Sequence, residues 1–431
     1  MLRHGIVTAA VAAGFFLSLV GQALATQPYP LNFTTVDFNS GTTDGLVNSN
    51  GTLTLDSGPL QSFPYTDPFA AVPVLGATVD GSGSYSYGTW TSPVYNLSFP
   101  FNELVSSWNA KTSPGTWIQS EVLPQLDNGQ WASKWYILGR WTYNDSDFHR
   151  TSVGGQGDAN GFVSIDTFFA KDHPAIAYRL RLTIYRRTGW SAAQAPVSVT
   201  RYSAVASNLT NQKGSFPSAS TMNGETIDLG VPSYSQEIHH GHYPEFDNGG
   251  EAWCSPTSTA MVVRYWQNTT GTPYAPSAAE TSWVNPPQDP EVDYAARFVY
   301  DYHYQGAGNW PFNTAYAAER GLVSDVTQLH NLSEAEPFIK AHIPLVASVA
   351  WTSNKLDTGI KSTNGHLIVI GGFTGMGDVI AYDPASPTDA DVRHVYKREQ
   401  FERAWIPASG GIVYVDRPAG WPTPSLTANN S

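Results

Sequence analysis

Glu251-Ala252-Trp253-Cys254-Ser255-Pro256-Thr257-Ser258-Thr259-Ala260-Met261 contains the only cysteine among 431 residues. Proline suits the first turn of a helix, where its missing N–H costs nothing, and Ser255 is placed to cap that turn. Downstream, Met261, Val262, Tyr265 and Trp266 recur at helical spacing, so the pattern predicts a helix over 256–267. The thiol then stands at a helix N-terminus, where unpaired N–H groups and the helix dipole favour a thiolate. A small apolar residue buried beneath Trp253 is the other reading of Cys254.

A nucleophilic thiolate needs a base. Asn364-Gly365-His366-Leu367-Ile368-Val369-Ile370-Gly371-Gly372-Phe373 sets His366 at the mouth of an apolar strand. The run over 378–384 ends in Asp383-Pro384, and Gly375-Met376-Gly377 between them signals a hairpin turn. With Gly375 and Met376 as the loop, paired residue numbers have an odd sum, His366 faces Ala385, and Asp383 lies diagonally on the same face. An even sum would send the two side chains to opposite faces. In the odd register, Cys254 can attack a carbonyl, His366 can hold the ion pair and protonate the leaving amine, and Asp383 can orient the imidazole. The Cys254 N–H and the amide of Gln236, in Val231-Pro-Ser-Tyr-Ser-Gln236, are candidate oxyanion donors.

These blocks together resemble papain-like cysteine peptidases of the bacteriocin-processing, double-glycine-leader type. The resemblance is greatest to their stand-alone secreted relatives and covers about residues 228–416. It implies Cys254 as nucleophile, His366 as base, Asp383 as orienting acid and Gln236 as oxyanion donor, with no cofactor and no metal. Where the family has glycine after the cysteine this chain has Ser255, which puts a side chain beside the oxyanion position. No transporter-like segment accompanies the block, so a leader-peptide substrate is not expected.

The rest of the chain sets the frame. At about 150 residues per domain, the length predicts two or three domains. Residues 1–25 read as an export signal: Arg3 and His4, an apolar run, then Ala23-Leu24-Ala25 before a mature start at Thr26. The apolar run is too short to span a bilayer. A secreted protein with neither a nucleic-acid nor a membrane partner is therefore expected, and the net charge of −13 opposes phosphate and anionic lipid alike. One cysteine excludes an intrachain disulfide, so the cores must carry stability alone.

Residues 26–206 read as short strands separated by turn residues, predicting an all-β sandwich or jelly roll. The polar stretch 207–227 reads as a linker and 417–431 as a disordered tail. Over 228–416, helices at 292–302, 312–320 and 333–341 precede strands at 345–351, 366–373, 378–383 and 411–415. That order predicts an α+β papain-like domain with an antiparallel sheet. His239-His240-x-His242, with Glu245 and Asp247, reads as a solvated or substrate-facing loop rather than a metal site, because adjacent histidines diverge. Trp108, Trp117, Trp131, Trp135 and Trp141 read mainly as sandwich core, with carbohydrate or cell-surface contact as the functional option.

The expected function is a secreted, metal-independent cysteine peptidase acting on peptide or protein substrates. Two alternatives stand beside it: an amidase or acyl-transferase using the same triad on cell-wall peptides or glutamine side chains, or a binding or adhesion protein with a degenerate peptidase-like domain.

Overall fold

The computed structural model describes residues 29–210, 216–352, 356 and 361–426. The export signal expected over 1–25 lies outside them. Among the described residues, no helix is long and apolar enough to cross a membrane.

The first half is two antiparallel sheets packed face to face. One sheet runs Gly161–Ser164, Thr167–Ala170, Glu103–Lys111, Ser198–Ser207, Thr52–Leu55, Leu46–Ser49, and Leu31–Thr35 adds to Ser198–Ser207. The other runs Tyr136–Trp141, Thr116–Leu126, Ala175–Arg187, Gly83–Thr91, Thr42–Asp44, with Gln61–Tyr65 and Tyr95–Phe101 attached. Contact between the layers is direct: Ser120 Oγ of the second sheet lies 2.8 Å from Ser106 Oγ and 2.7 Å from Tyr202 Oη of the first. Trp108, Trp117 and Trp141 are fully buried, as core tryptophans should be, but Trp131 is exposed and Trp135 only half-buried, under Arg181. Trp117 belongs to a separate aromatic cluster with Tyr65, Tyr85, Phe148 and Tyr185.

The second half sets helices against one antiparallel sheet. The helices are α1 (Cys254–Thr270), α2 (Pro290–Val299), α3 (Trp310–Glu319), α4 (Leu332–Lys340) and α5 (Arg398–Ser409). The sheet runs Val323–Gln328, Ile412–Arg417, Leu345–Trp351, Thr363–Phe373, Val379–Tyr382, Arg393–Tyr396, and Ile227–Asp228 pairs with Thr363–Phe373. The Asn309 and Asn331 side chains cap α3 and α4 by accepting from Phe312 N and Glu334 N. α1 departs from expectation: Trp253 holds the cap position and no side chain caps it. Ser255 is instead buried inside the first turn, bonded to Tyr414 Oη at 2.9 Å.

The two halves share one core. Phe312 of α3 packs on Trp108 and Trp141, with ring centroids 6.2 and 5.3 Å away. Beside it a polar seam joins the sheets. Asn109 bonds Ser324 in both directions, at 2.7 and 3.1 Å, and Asp325 accepts from Arg201 (2.7 Å), Ser203 (2.8 Å) and Arg417 (3.1 Å). The fully buried Arg150 donates to the carbonyls of Thr142, Tyr143, Arg297 and Tyr300.

Two expectations about connecting segments need correction. The described part of the supposed linker is tied down. Ser218 donates to Glu402, and Ser220 and Thr221 donate to Glu336 at 2.8 and 2.6 Å. Arg398 reaches both Ser218 O (2.8 Å) and Glu336 (2.7 Å), and Met222 is buried. The supposed tail is likewise ordered through residue 426. Trp421 donates to Ala341 O at 2.8 Å and stacks edgewise on Trp266, while Leu426 is buried and accepts from Thr327. Small polar residues signal linkers only when nothing buried awaits them. Here two buried carboxylates, Glu336 and Glu402, supply acceptors.

Candidate active site

α1 delivers Cys254, half-buried, at its first residue. The helix is fixed to the strand bearing His366, because Ser258 Oγ donates to Leu367 O at 3.1 Å. His366 and Asp383 are both buried, and His366 Nε2 lies 2.7 Å from Asp383 Oδ1. With Nε2 so engaged, Nδ1 is the ring nitrogen left for the thiol. Trp351 packs edge-on to the imidazole at 6.0 Å.

The hairpin aligns these two residues by a detour. Near the turn the pairs Phe373–Val379 and Gly372–Ile380 have even sums, because the loop is one residue longer than the sequence suggests and Gly377 closes it at φ 86°. Continued unchanged, that register would put His366 and Asp383 on opposite faces. A β-bulge at Gly371 then shifts the pairing to Ile370–Ala381 and Val369–Tyr382, restoring the odd register. Only glycine fits the bulge. A Cβ at 371 would lie 2.4 Å from the Tyr382 ring.

Electrostatics follow from this burial. Burial favours a neutral imidazole, but the Asp383 carboxylate and its hydrogen bond, with Cys254 beside the ring, override it and raise His366 from 6.5 to about 10. Burial would raise Asp383 as well. The facing imidazolium, with hydrogen bonds from Tyr396 and Ala385 N, instead holds it below the ordinary carboxylate value. Tyr396 Oη donates to Asp383 Oδ2 at 2.8 Å. Sequence reasoning missed this tyrosine. Its only signal is that it ends a short strand, Arg393–Tyr396, beyond the second half of the hairpin.

Gln236 reaches the same cleft. Its backbone N–H donates to Pro384 O at 2.8 Å, tying it to the loop after Asp383. Its Nε2 donates one hydrogen to Glu251 O at 2.6 Å, leaving a second amide hydrogen. Ser255 does not crowd this region, since its hydroxyl turns inward to Tyr414. The cleft, about 590 Å³, is lined by Gln236, Cys254, His366 and Tyr304, and also by Ser164 and Ile165 of the first half. Ile165 tips a hairpin at φ 58°, an unusual value for a branched residue. The neighbouring Asp166 anchors the tip by accepting from Trp310 N at 2.8 Å, and burial pushes its carboxyl up to about 7. Glu237, Asp247 and Glu251 add further carboxylates to the lining.

Residues 31–207 match the Peptidase C39 N-terminal domain, and residues 228–413 match the Peptidase_C39 like family. The chain carries peptidase C39 family domains. That assignment supports a cysteine peptidase-like function. Among solved structures, a C39-like peptidase from Bacillus anthracis is 18% identical, with 44% of this chain and 97% of that one covered and a TM-score of 0.27. The enzymatically active domain of tailspike protein 4 from bacteriophage CBA120 is 12% identical over 41% and 19% of the two chains, TM-score 0.16. The catalytic domain of a GH87 α-1,3-glucanase is 11% identical over 49% and 33%, TM-score 0.15. None of the curated proteins matches this chain.

One set of residues was misjudged. His239 is fully buried rather than solvated. A 3-10 turn over Glu237–His239 continues into a second turn, His242 N to His239 O at 2.9 Å, which swings His239 and His242 together and leaves His240 outside against Glu251.

Proposed function

We propose that the C39 chain is an exported cysteine peptidase that cleaves peptide bonds with Cys254 as nucleophile and His366 and Asp383 as its partners. The observation carrying this reading is that the sole thiol shares one cleft with a buried His–Asp pair, Nε2 to Oδ1 2.7 Å. Cys254 Sγ attacks the scissile carbonyl, and His366 passes its Nδ1 proton to the departing amine. Water then hydrolyses the acyl-enzyme, with the neutral imidazole as base. Asp383 holds the ring throughout, and Tyr396 steadies Asp383. The free amide hydrogen of Gln236 and the Cys254 N–H receive the oxyanion.

Within the family, the sequence blocks favour the stand-alone secreted relatives of the double-glycine-leader peptidases. The hairpin tipped by Ile165 gives the N-terminal domain a part in substrate binding. The carboxylates of Glu237, Asp247 and Glu251 favour a cationic segment of a peptide or protein substrate.

The test is cleavage profiling of the full chain against a mixed peptide library, with Cys254→Ala as control. Gln236→Ala should lower kcat roughly 10²- to 10³-fold with little change in KM. Cleavage equal to the Cys254→Ala control, together with alkylation of Cys254 at the rate of an ordinary thiol, would overturn the reading.

A further inference from the structure

We propose that His239, His242 and Asp293 form a binding site for one divalent transition-metal ion of the zinc class. The ion fastens the segment between Gln236 and Cys254 to α2.

The three residues come from two elements that nothing else in their chemistry requires to meet. Asp293, in the first turn of α2, is fully buried and turns one oxygen to each histidine. His242 Nδ1 is hydrogen-bonded to Oδ1 at 3.0 Å, whereas His239 Nδ1 lies 2.9 Å from Oδ2 without a hydrogen bond. One ligand atom from each residue falls within 4.8 Å of the others, which is the span of a metal shell.

The decisive feature is what the cluster lacks as a hydrogen-bonded group. His239 is fully buried, yet neither ring nitrogen has a hydrogen-bond partner among the described residues, and Asp293 Oδ2 has none either. The 2.9 Å approach is out of line for an N–H···O bond. Leaving such atoms unsatisfied in the interior is destabilising. A lone pair pointed at a cation removes that cost for nitrogen and oxygen together. Two imidazoles and one carboxylate suit zinc and its neighbours better than calcium or magnesium, and three protein ligands leave a fourth position open.

The location gives the ion a task. The turn bearing His239 packs on Gly250 so closely that a Cβ there would lie 2.4 Å from Gln236 O. Gly250–Ala252 then leads through Trp253 into Cys254. Fixing His239 and His242 to α2 therefore fixes both ends of the segment carrying the oxyanion donor and the thiol.

The experiment uses the full chain carrying Cys254→Ser, so that the cleft thiol cannot capture metal. Chelator-stripped protein is titrated with Co²⁺ and then Zn²⁺. The expected result is visible cobalt absorption saturating at about one equivalent, displaced by Zn²⁺, and a Tm raised roughly 5 °C at a hundredfold excess over Kd. Both responses should vanish in His242→Ala. Asp293→Asn, which keeps the side-chain shape, serves if that variant fails to fold. Folded parent protein showing no absorption, or variants responding like the parent, would overturn the assignment.

Discussion

Replacing Asp383 with asparagine keeps the side chain's shape and its acceptor oxygen while deleting its charge. Carrying an imidazole from 6.5 to about 10 corresponds to about 5 kcal/mol in favour of its protonated form. Asp383 leads Cys254 among the groups that raise it, so the larger part of that preference should disappear. In the variant, His366 should titrate well below about 10, and the protonated imidazole should be less available to Cys254 near neutral pH. The stability signature has a definite sign. A raised histidine contributes fully below about 6.5 and loses its contribution as pH climbs toward 10, while a depressed aspartate contributes above about 3.8 and loses it in acid. The parent should therefore lose stability between pH 6.5 and 10 more steeply than Asp383→Asn does. The direct assay is an NMR titration of the His366 ring, supported by iodoacetamide alkylation of Cys254 at about pH 6, which reports on one site because the chain has one thiol. A His366 resonance titrating within about half a pH unit of the parent would refute the account.

Three further outcomes are expected. Gly371→Ala should cost about 1–3 kcal/mol in thermal or urea unfolding, because its Cβ meets the Tyr382 ring, and kcat should fall since Asp383 follows Tyr382 directly; an unchanged Tm would contradict the bulge argument. Arg150→Leu should cost about 3 kcal/mol by stranding the four carbonyls that the guanidinium now satisfies, read as a lowered urea midpoint. In Glu237→Gln/Glu251→Gln, any preference for basic peptides should weaken roughly 3- to 10-fold and lose its salt sensitivity, measured as kcat/KM at low and high ionic strength.

Much of this was legible in the sequence for physical reasons. The strand Leu345–Trp351 announces itself through an apolar run, and helix α3 through its apolar pattern stopped at Gly321. The candidate site was legible because a single thiol beside Pro256 leaves few alternatives. The hairpin parity was right through two compensating errors, a loop one residue longer than read and a bulge that no local pattern reveals. Val323–Gln328 was missed because Ser324, Asp325, Thr327 and Gln328 are all buried, which erases the polar-outside alternation that reveals a strand. α5 was missed because Arg398 and Glu402, which look like surface charges, are buried against the strap from Ser218 to Thr221, and Pro407 interrupts its helical pattern. The histidine cluster was undervalued because only the three-dimensional turn reveals which two of three histidines converge.

The seam between the halves also bears on the order in which the chain is made. Residues 31–207 emerge first, and the groups they later bury against Val323–Gln328 are Ser107, Asn109, Arg201 and Ser203, all content in water. Along this strip the nascent sandwich presents polar groups to water, while Trp108 and Trp141 beside it wait for Phe312 to cover them. The later half has no such ease: Asp325 is fully buried and draws on Arg201 and Ser203 from the sandwich. Synthesis in this order gives the peptidase-like half a template already in place, and a fragment starting near residue 228 would have to fold with that carboxylate short of two of its donors.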